Sequence, residues 1–141
     1  MNKNGAIIIV EDDPDDQEMF SVVFKELNYK NEIIFFNDGQ EALAYLTAES
    51  SEPFIVFSDI NMPKLNGIEL RKQIHENENI RIKTIPYLFF TTSAEQNAVI
   101  DAYSKSIQGF FVKPSSFQNL KELVKTIVDY WQKCESPNYV N

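Results

Sequence analysis

Polar residues that can do chemistry follow four of the short apolar runs in this chain of 141 residues. Glu11 and Asp12 follow the first run, Asp59 follows the third, and Thr91 and Lys113 follow the fourth and the fifth. Two carboxylates about 4 Å apart repel each other by roughly 4 kcal/mol at an effective dielectric constant of about 20. If the fold brings these residues together, the three carboxylates therefore need a cation.

A site of this composition is suited to handling a phosphoryl group. Asp59 is a candidate nucleophile, because a carboxylate can attack phosphorus and form an acyl phosphate. Mg²⁺ prefers oxygen ligands, so Glu11 and Asp12 predict a magnesium site beside it. The Lys113 ammonium and the Thr91 hydroxyl would then contact the oxygens of the transferred group. The sequence has neither a Gly-rich loop nor a Walker-type lysine motif, so it does not predict a nucleotide site.

Five apolar runs, rich in β-branched and aromatic residues, predict strands that are covered on both faces. They span residues 6–10, 32–36, 54–58, 85–90 and 107–112. A pattern with helical spacing follows each run, at residues 20–27, 39–46, 65–74, 94–103 and 120–131. This alternation predicts an α/β fold in which helices cover both faces of a five-stranded parallel sheet. Functional groups of such sheets gather at the carboxyl ends of the strands.

The composition excludes several classes of protein. The chain has 13 basic and 21 acidic residues, and its net charge of −8 argues against nonspecific binding to nucleic acid and against docking on anionic lipid. The single cysteine, Cys134, and the single histidine, His75, exclude a disulfide scaffold and a zinc finger. The first apolar run is too short for a signal peptide, and no run approaches the roughly 20 residues that span a bilayer. The expected compartment is therefore the cytoplasm.

Four motifs carry a family resemblance. They read IIIVEDDP, FSDINMPKLNG, PYLFFTT and GFFVKP, and they contain the five residues named above in order. Together they are similar to the motifs of a response-regulator receiver domain of two-component signalling, of the stand-alone, single-domain type. The resemblance covers about residues 3–132 and leaves 133–141 as a tail that we expect to be flexible. It implies a flavodoxin-like, doubly wound sheet with the strand order 2-1-3-4-5.

The resemblance implies a role for each acidic residue. Asp59 would be the phosphoacceptor and also a ligand of Mg²⁺. Asp12 would bind Mg²⁺ directly, Glu11 would bind it through water, and Asn61 would contribute its backbone carbonyl. The donor would be a histidine kinase or a histidine phosphotransfer protein. Such a domain catalyses only its own phosphorylation and dephosphorylation, so it is a signalling domain and not an enzyme.

The resemblance also implies a switch. Thr91 and Lys113 would contact the phosphoryl group, and movement of Thr91 would let Phe110 turn inward. Phe110 stands where many members have Tyr, and Thr92 stands where Ala or Gly is usual, so its bulk is expected to slow the entry of donors or water. A downstream protein would bind the face formed by the fourth helix, the fifth strand and the fifth helix. The bond between Lys113 and Pro114 would be cis, and the chain would be a monomer or a weak homodimer.

Simpler roles remain open for these residues. Asp59 would serve as a helix N-cap or turn residue, and Glu11 and Asp12 would favour the dipole of the first helix. Thr91 would be an ordinary strand residue, and Lys113 a surface lysine. The other acids of the first helix are predicted to form a solvated face: Asp13, Asp15, Asp16 and Glu18.

Two other functions remain open as well. The first is a phosphatase with an aspartyl-phosphate intermediate, but such an enzyme needs a second acid two residues after its nucleophile, where this chain has Asn61. The second is an interaction module that works without phosphate. Its expected sign is loss of the acceptor, of a metal-binding acid or of the lysine, all of which this chain retains.

Overall fold

The computed structural model of the chain describes residues 2–48, 50–60, 64–77, 84–91, 96–104 and 107–135, apart from the side chains of 96–98 and 102. Strands and helices alternate along it. The strands are β1 (Ala6–Val10), β2 (Ile33–Phe36), β3 (Pro53–Asp59), β4 (Tyr87–Thr91) and β5 (Gly109–Val112). The helices are α1 (Pro14–Leu27), α2 (Gly39–Thr47), α3 (Gly67–Glu76), α4 (Gln96–Ser104) and α5 (Phe117–Lys133).

The five strands form one parallel sheet in the order β2-β1-β3-β4-β5, which confirms the predicted fold and strand order. In the centre of the sheet, Ile8 of β1 is in register with Ile34 of β2 and with Val56 of β3. The carboxyl ends of the strands therefore lie along one edge. Within the described ranges, no helix is both long and apolar enough to cross a lipid bilayer.

Strand alternation divides the core into two layers. Ile7 and Ile9 of β1 pack into the layer that contains the apolar residues of α1 and α5. Ile8 and Val10 pack into the opposite layer, with the apolar residues of α2 and α3. Every residue of β1 is buried, as expected for a central strand of a parallel sheet with helices on both faces. This two-sided burial holds the strand ends, and the side chains that follow them, in place.

Short polar side chains begin the helices that flank the strand ends. Asp13 caps α1, since its side chain accepts a hydrogen bond from the N–H of Asp15 at 2.8 Å. Asn66 caps α3 and accepts from the N–H of Glu69 at 2.9 Å. Because α3 begins at its own cap, the alternative role of Asp59 as a helix N-cap is wrong. The Asp59 side chain is left available for the site.

Gly67 lets α3 begin directly against the end of β3. Its N–H donates to the Ile60 carbonyl at 2.8 Å. A Cβ at this position would lie 2.1 Å from the Asp59 carbonyl oxygen and 2.8 Å from Cε1 of Phe89. The first of these is a backbone atom that cannot move away without shifting β3, so the close approach requires glycine.

We expect Gly67→Ala to destabilise the fold by about 1–3 kcal/mol, because the added methyl group pushes the end of β3 away from α3. Equilibrium unfolding in urea measures the loss. Gly109→Ala is the matched comparison: its Cβ would meet side-chain atoms of Phe111 and Leu88 at 2.8 and 2.9 Å, and these can turn away, so a smaller loss is expected. Equal stability of Gly67→Ala and the wild type would show that the close approach is not needed.

Candidate functional site

The strand order brings the predicted polar residues to one edge of the sheet. Carboxylate oxygens of Glu11, Asp12 and Asp59 lie within 4.8 Å of one another. We call these three residues the acidic triad. Lys113 follows β5, and its Nζ lies 3.4 Å from Oδ2 of Asp59. Residues separated by up to 102 positions in the chain therefore share one cluster.

Asp59 ends β3 and is held from both sides. Its Oδ1 accepts a hydrogen bond from the N–H of Ile60 at 2.8 Å, while Oδ2 faces Lys113. The Ser58 hydroxyl donates to the Asp59 carbonyl oxygen at 2.9 Å. These contacts orient the carboxylate, and because the side chain is 13% exposed, solvent still reaches it.

Lys113 is the cation of the cluster. Its ammonium pairs with Oε1 of Glu11, with Oδ2 of Asp16 at 2.7 Å, and with Asp59, and the side chain is only 11% exposed. Burial alone would lower the pKa of Lys113, but the hydrogen bonds to Asp16 and Glu11 outweigh it and raise the pKa. The ammonium therefore stays charged at neutral pH, and the alternative of a solvated surface lysine is wrong.

The backbone also positions Lys113. Its N–H donates to the Thr91 carbonyl at 2.7 Å, which ties the end of β5 to the end of β4. The peptide bond between Lys113 and Pro114 is trans. The expectation of a cis bond is therefore wrong: the trans form already carries the lysine to the triad, so reaching the site does not require the less favoured isomer.

Glu11 is the buried member of the triad. Burial raises its pKa to about 7, and the hydrogen bond and charge of Lys113 act in the opposite direction. The ring of Phe20 lies 5.7 Å from that of Phe90 and 6.3 Å from that of Phe57. These three rings, together with Glu11 and Asp59, line a shallow depression. An apolar floor thus removes Glu11 from water, which makes a compensating cation necessary.

Two side chains of α1 belong to the site although they were not predicted from the sequence. Asp16 was predicted to lie on a solvated helix face, but it forms the ion pair with Lys113 and is only 31% exposed. The side-chain amide of Gln17 donates to the Glu11 carbonyl oxygen and to Oδ1 of Asn37, the latter at 2.7 Å. Gln17 thereby ties the segment after β1 to the segment after β2. Glutamine carries no charge and so gave no signal of this role.

The two residues of the expected switch lie on one face of the sheet. Thr91 is buried at the end of β4 and is two residues beyond Phe89, so its side chain points to the same face. Phe110 of β5 is in register with Phe89 and packs against its ring edge to face at 6.0 Å. Phe110 is half-buried. Asn61 and Thr92 lie outside the described residues.

The other singled-out residues occupy peripheral positions. His75 is exposed in the last turn of α3. Cys134 is a half-buried free thiol that follows α5. Neither belongs to the cluster around Asp59.

The donor set fits a hard divalent cation. All three members of the acidic triad supply carboxylate oxygens, the ligand type that Mg²⁺ and Mn²⁺ share. Asp12 is exposed and Asp59 partly exposed, which leaves room for the waters that Mg²⁺ retains.

Comparison with known proteins places the chain in a family. The profile of the response regulator receiver domain family matches residues 7–125. Response regulator Rcp1 of Synechocystis sp. is 29% identical over 135 residues, which cover 92% of this chain and 90% of Rcp1. "Probable methanogenesis regulatory protein FilR2" of Methanothrix harundinacea is 33% identical over 129 residues, which cover 89% of this chain and 82% of FilR2.

Solved structures share the fold. The crystal structure of the Mn²⁺-bound form of Rcp1 matches with a TM-score of 0.80 and 28% identity, over 94% of this chain and 98% of Rcp1. That of the phosphorylated cyanobacterial phytochrome response regulator RcpA matches with a TM-score of 0.82 and 26% identity, over 93% and 96% of the two chains. With its sheet order, its strand-end cluster and a profile match over most of its length, this chain belongs to the response regulator receiver domain family, which serves signalling rather than catalysis.

Proposed function

We propose that the chain is a two-component response regulator that accepts a phosphoryl group on Asp59 and passes the signal to a protein partner. The observation that carries this proposal is the Lys113 ammonium, held 3.4 Å from an oriented Asp59 carboxylate inside the acidic triad. A stable fold does not require this concentration of charge, because buried ion pairs contribute little net stability.

The donor would be the phosphohistidine of a histidine kinase or of a histidine phosphotransfer protein. An Asp59 oxygen attacks the phosphorus, the bond from phosphorus to the imidazole nitrogen breaks, and that nitrogen keeps the electron pair and takes up a proton. Lys113 donates hydrogen bonds to the transferred oxygens, and the Thr91 hydroxyl is placed at the neighbouring strand end to do the same. We place this reaction in the cytoplasm, where ATP is available to phosphorylate the histidine.

The acidic triad would hold Mg²⁺. Asp12 and Asp59 would bind it directly, Glu11 through water, and Asn61 through its backbone carbonyl. When bound, Mg²⁺ offsets the negative charge of the triad and of the incoming phosphoryl group. The Mn²⁺-bound form of Rcp1 supports this proposal by similarity.

The signal would leave through α4, β5 and α5. A phosphoryl group adds a charge of about −1.5 to −2 beside Thr91. Because Thr91 and Phe110 share one face of the sheet, movement of the first would change the packing of the second. Three large apolar side chains on α4 and β5 are exposed and would contribute to a docking surface for the partner: Ile100, Tyr103 and Val112.

Phosphotransfer from radiolabelled histidine kinases of the host tests this function. We expect at least one kinase to label the chain rapidly when Mg²⁺ is present, and labelling to fall to background in EDTA, because the triad is then left without its cation. Rapid turnover of a generic phosphate ester would instead favour the phosphatase. A chain that accepts label from no kinase, and does not respond to Mg²⁺ with beryllofluoride, would favour the phosphate-independent module. The fluorescence of Trp131 is a convenient reporter of that response.

A further inference from the structure

Lys113 has a close carboxylate partner outside the acidic triad, Asp16. Its Oδ2 lies 2.7 Å from Nζ of Lys113, compared with 3.4 Å for Oδ2 of Asp59. The contact joins residues 97 positions apart. Three carboxylates thus occupy the three donor positions of one ammonium.

Helix capping does not account for this position of Asp16. It is the third residue of α1, where an acidic side chain commonly reaches back to the N–H of the cap. Here the cap residue is Asp13, and its N–H donates to Oε2 of Glu11 at 3.2 Å instead. The Asp16 carboxylate therefore serves a contact across the sheet edge and not its own helix.

The two closest partners of Lys113 differ in one respect. Glu11 is a member of the acidic triad, so its oxygens would be shared between the lysine and a cation bound by the triad. Asp16 is outside the triad, and among the described residues its carboxylate pairs with Lys113. A lysine side chain has many rotamers, so an ammonium without a dedicated partner would spend part of its time away from the acceptor.

We propose that Asp16 is a positioning residue that holds the Lys113 ammonium beside the Asp59 carboxylate during phosphoryl transfer. This inference rests on the proposed function of Asp59 as the phosphoacceptor. In the part of the chain that the structure describes, the Asp16 carboxylate pairs with Lys113 and not with the acceptor. It acts through Lys113.

The test uses acetyl phosphate as donor at saturating Mg²⁺, so that no kinase interface is involved. An Asp59 oxygen attacks phosphorus, the bond from phosphorus to the acetyl oxygen breaks, and acetate leaves with the electron pair. We expect Asp16→Asn to lower the maximal phosphorylation rate about tenfold, a change typical of a displaced catalytic group. The concentration of acetyl phosphate at half-maximal rate should change by less than about threefold.

Asp15→Asn is the matched control, because it removes the same charge from the neighbouring, exposed position of α1. We expect its maximal rate to stay within about twofold of the wild type. Both variants should bind Mg²⁺ with the same affinity, since neither position belongs to the triad. Asp16→Glu, which keeps the charge on a side chain one methylene longer, should recover most of the rate and covers the case in which Asp16→Asn is poorly folded.

The outcomes separate the two proposals. A wild type that incorporates no phosphoryl group from any donor would overturn the proposed function and this inference with it. A wild type that is phosphorylated, with equal maximal rates for Asp16→Asn and Asp15→Asn, would overturn the positioning role alone. Weaker Mg²⁺ binding in Asp16→Asn than in Asp15→Asn would also overturn it, because Asp16 would then act on the metal site.

Discussion

Asp59→Asn should abolish phosphorylation, lowering the incorporated label by about 100-fold or more. The amide oxygen of asparagine is a far weaker nucleophile than a carboxylate and cannot give an acyl phosphate. The substitution is nearly isosteric, and the new side chain can still accept the hydrogen bond from the N–H of Ile60. We therefore expect a folded protein that fails only in the chemistry.

The measurement is the label that acetyl phosphate or a cognate kinase transfers to wild type, Asp59→Asn and Asp15→Asn. Asp15→Asn shares the loss of one negative charge near the site and should be labelled like the wild type. Thermal unfolding of all three confirms that the fold is intact. Wild-type labelling of Asp59→Asn would mean that another residue is the acceptor.

Lys113→Met should lower the stability of the fold. In the absence of divalent cations we expect a loss of about 2–3 kcal/mol, because the substitution leaves a buried Glu11 carboxyl beside the carboxylates of Asp16 and Asp59 without their common cation. The figure is below that for a fully buried pair, since water still reaches Asp16 and Asp59 and screens their repulsion. The rate of phosphorylation should fall as well.

Mg²⁺ should restore more stability to Lys113→Met than to the wild type. A cation in the acidic triad binds the folded state and takes over part of the charge balance that the lysine supplied. Urea unfolding in EDTA and in Mg²⁺ measures, for each protein, the increase in the free energy of unfolding that Mg²⁺ produces. Lys121→Met is the control: Lys121 pairs with the exposed Glu26 at 3.0 Å, and its loss should cost less than about 1 kcal/mol. An equal increase in stability with Mg²⁺ in Lys113→Met and in the wild type would contradict the proposed charge balance.

The fold could be predicted closely from the sequence because its strands are nearly continuous apolar runs. The run at 54–58 became Pro53–Asp59, and the run at 6–10 became Ala6–Val10. Two-sided burial demands such runs in a parallel sheet, and alternation with helical patterns leaves few topologies. The strand order itself came from the family resemblance, since periodicity does not show which strands are neighbours.

The site could be predicted only where a residue directly follows a strand. The arrangement of strands in the sheet is enough to bring Asp59 and Lys113 into contact. The contact of Asp16 with Lys113 depends on the rotation of α1 about its axis, which is set by the packing of Phe20 and Phe24 on Phe57. Asp15 and Asp16 look alike in the sequence, so nothing local distinguishes the exposed acid from the one that reaches Lys113.

The burial of Glu11 also could not be predicted from the sequence. The acid follows a fully apolar strand, but the aromatic floor that raises its pKa is assembled from three separate elements, α1, β3 and β4. The hydrogen bond from the N–H of Lys113 to the Thr91 carbonyl likewise joins two separate strands, β5 and β4. Such contacts link distant segments and leave no local pattern.

Reductive trapping of the phosphorylated residue tests the central claim most directly. Borohydride converts an acyl phosphate of aspartate to homoserine and leaves unmodified carboxylates unchanged. After phosphorylation of the wild-type chain, reduction and peptide sequencing, we predict homoserine at position 59 and at no other aspartate. Trapping at a different aspartate, or a phosphorylated chain that yields no homoserine, would contradict the assignment of Asp59 as the acceptor.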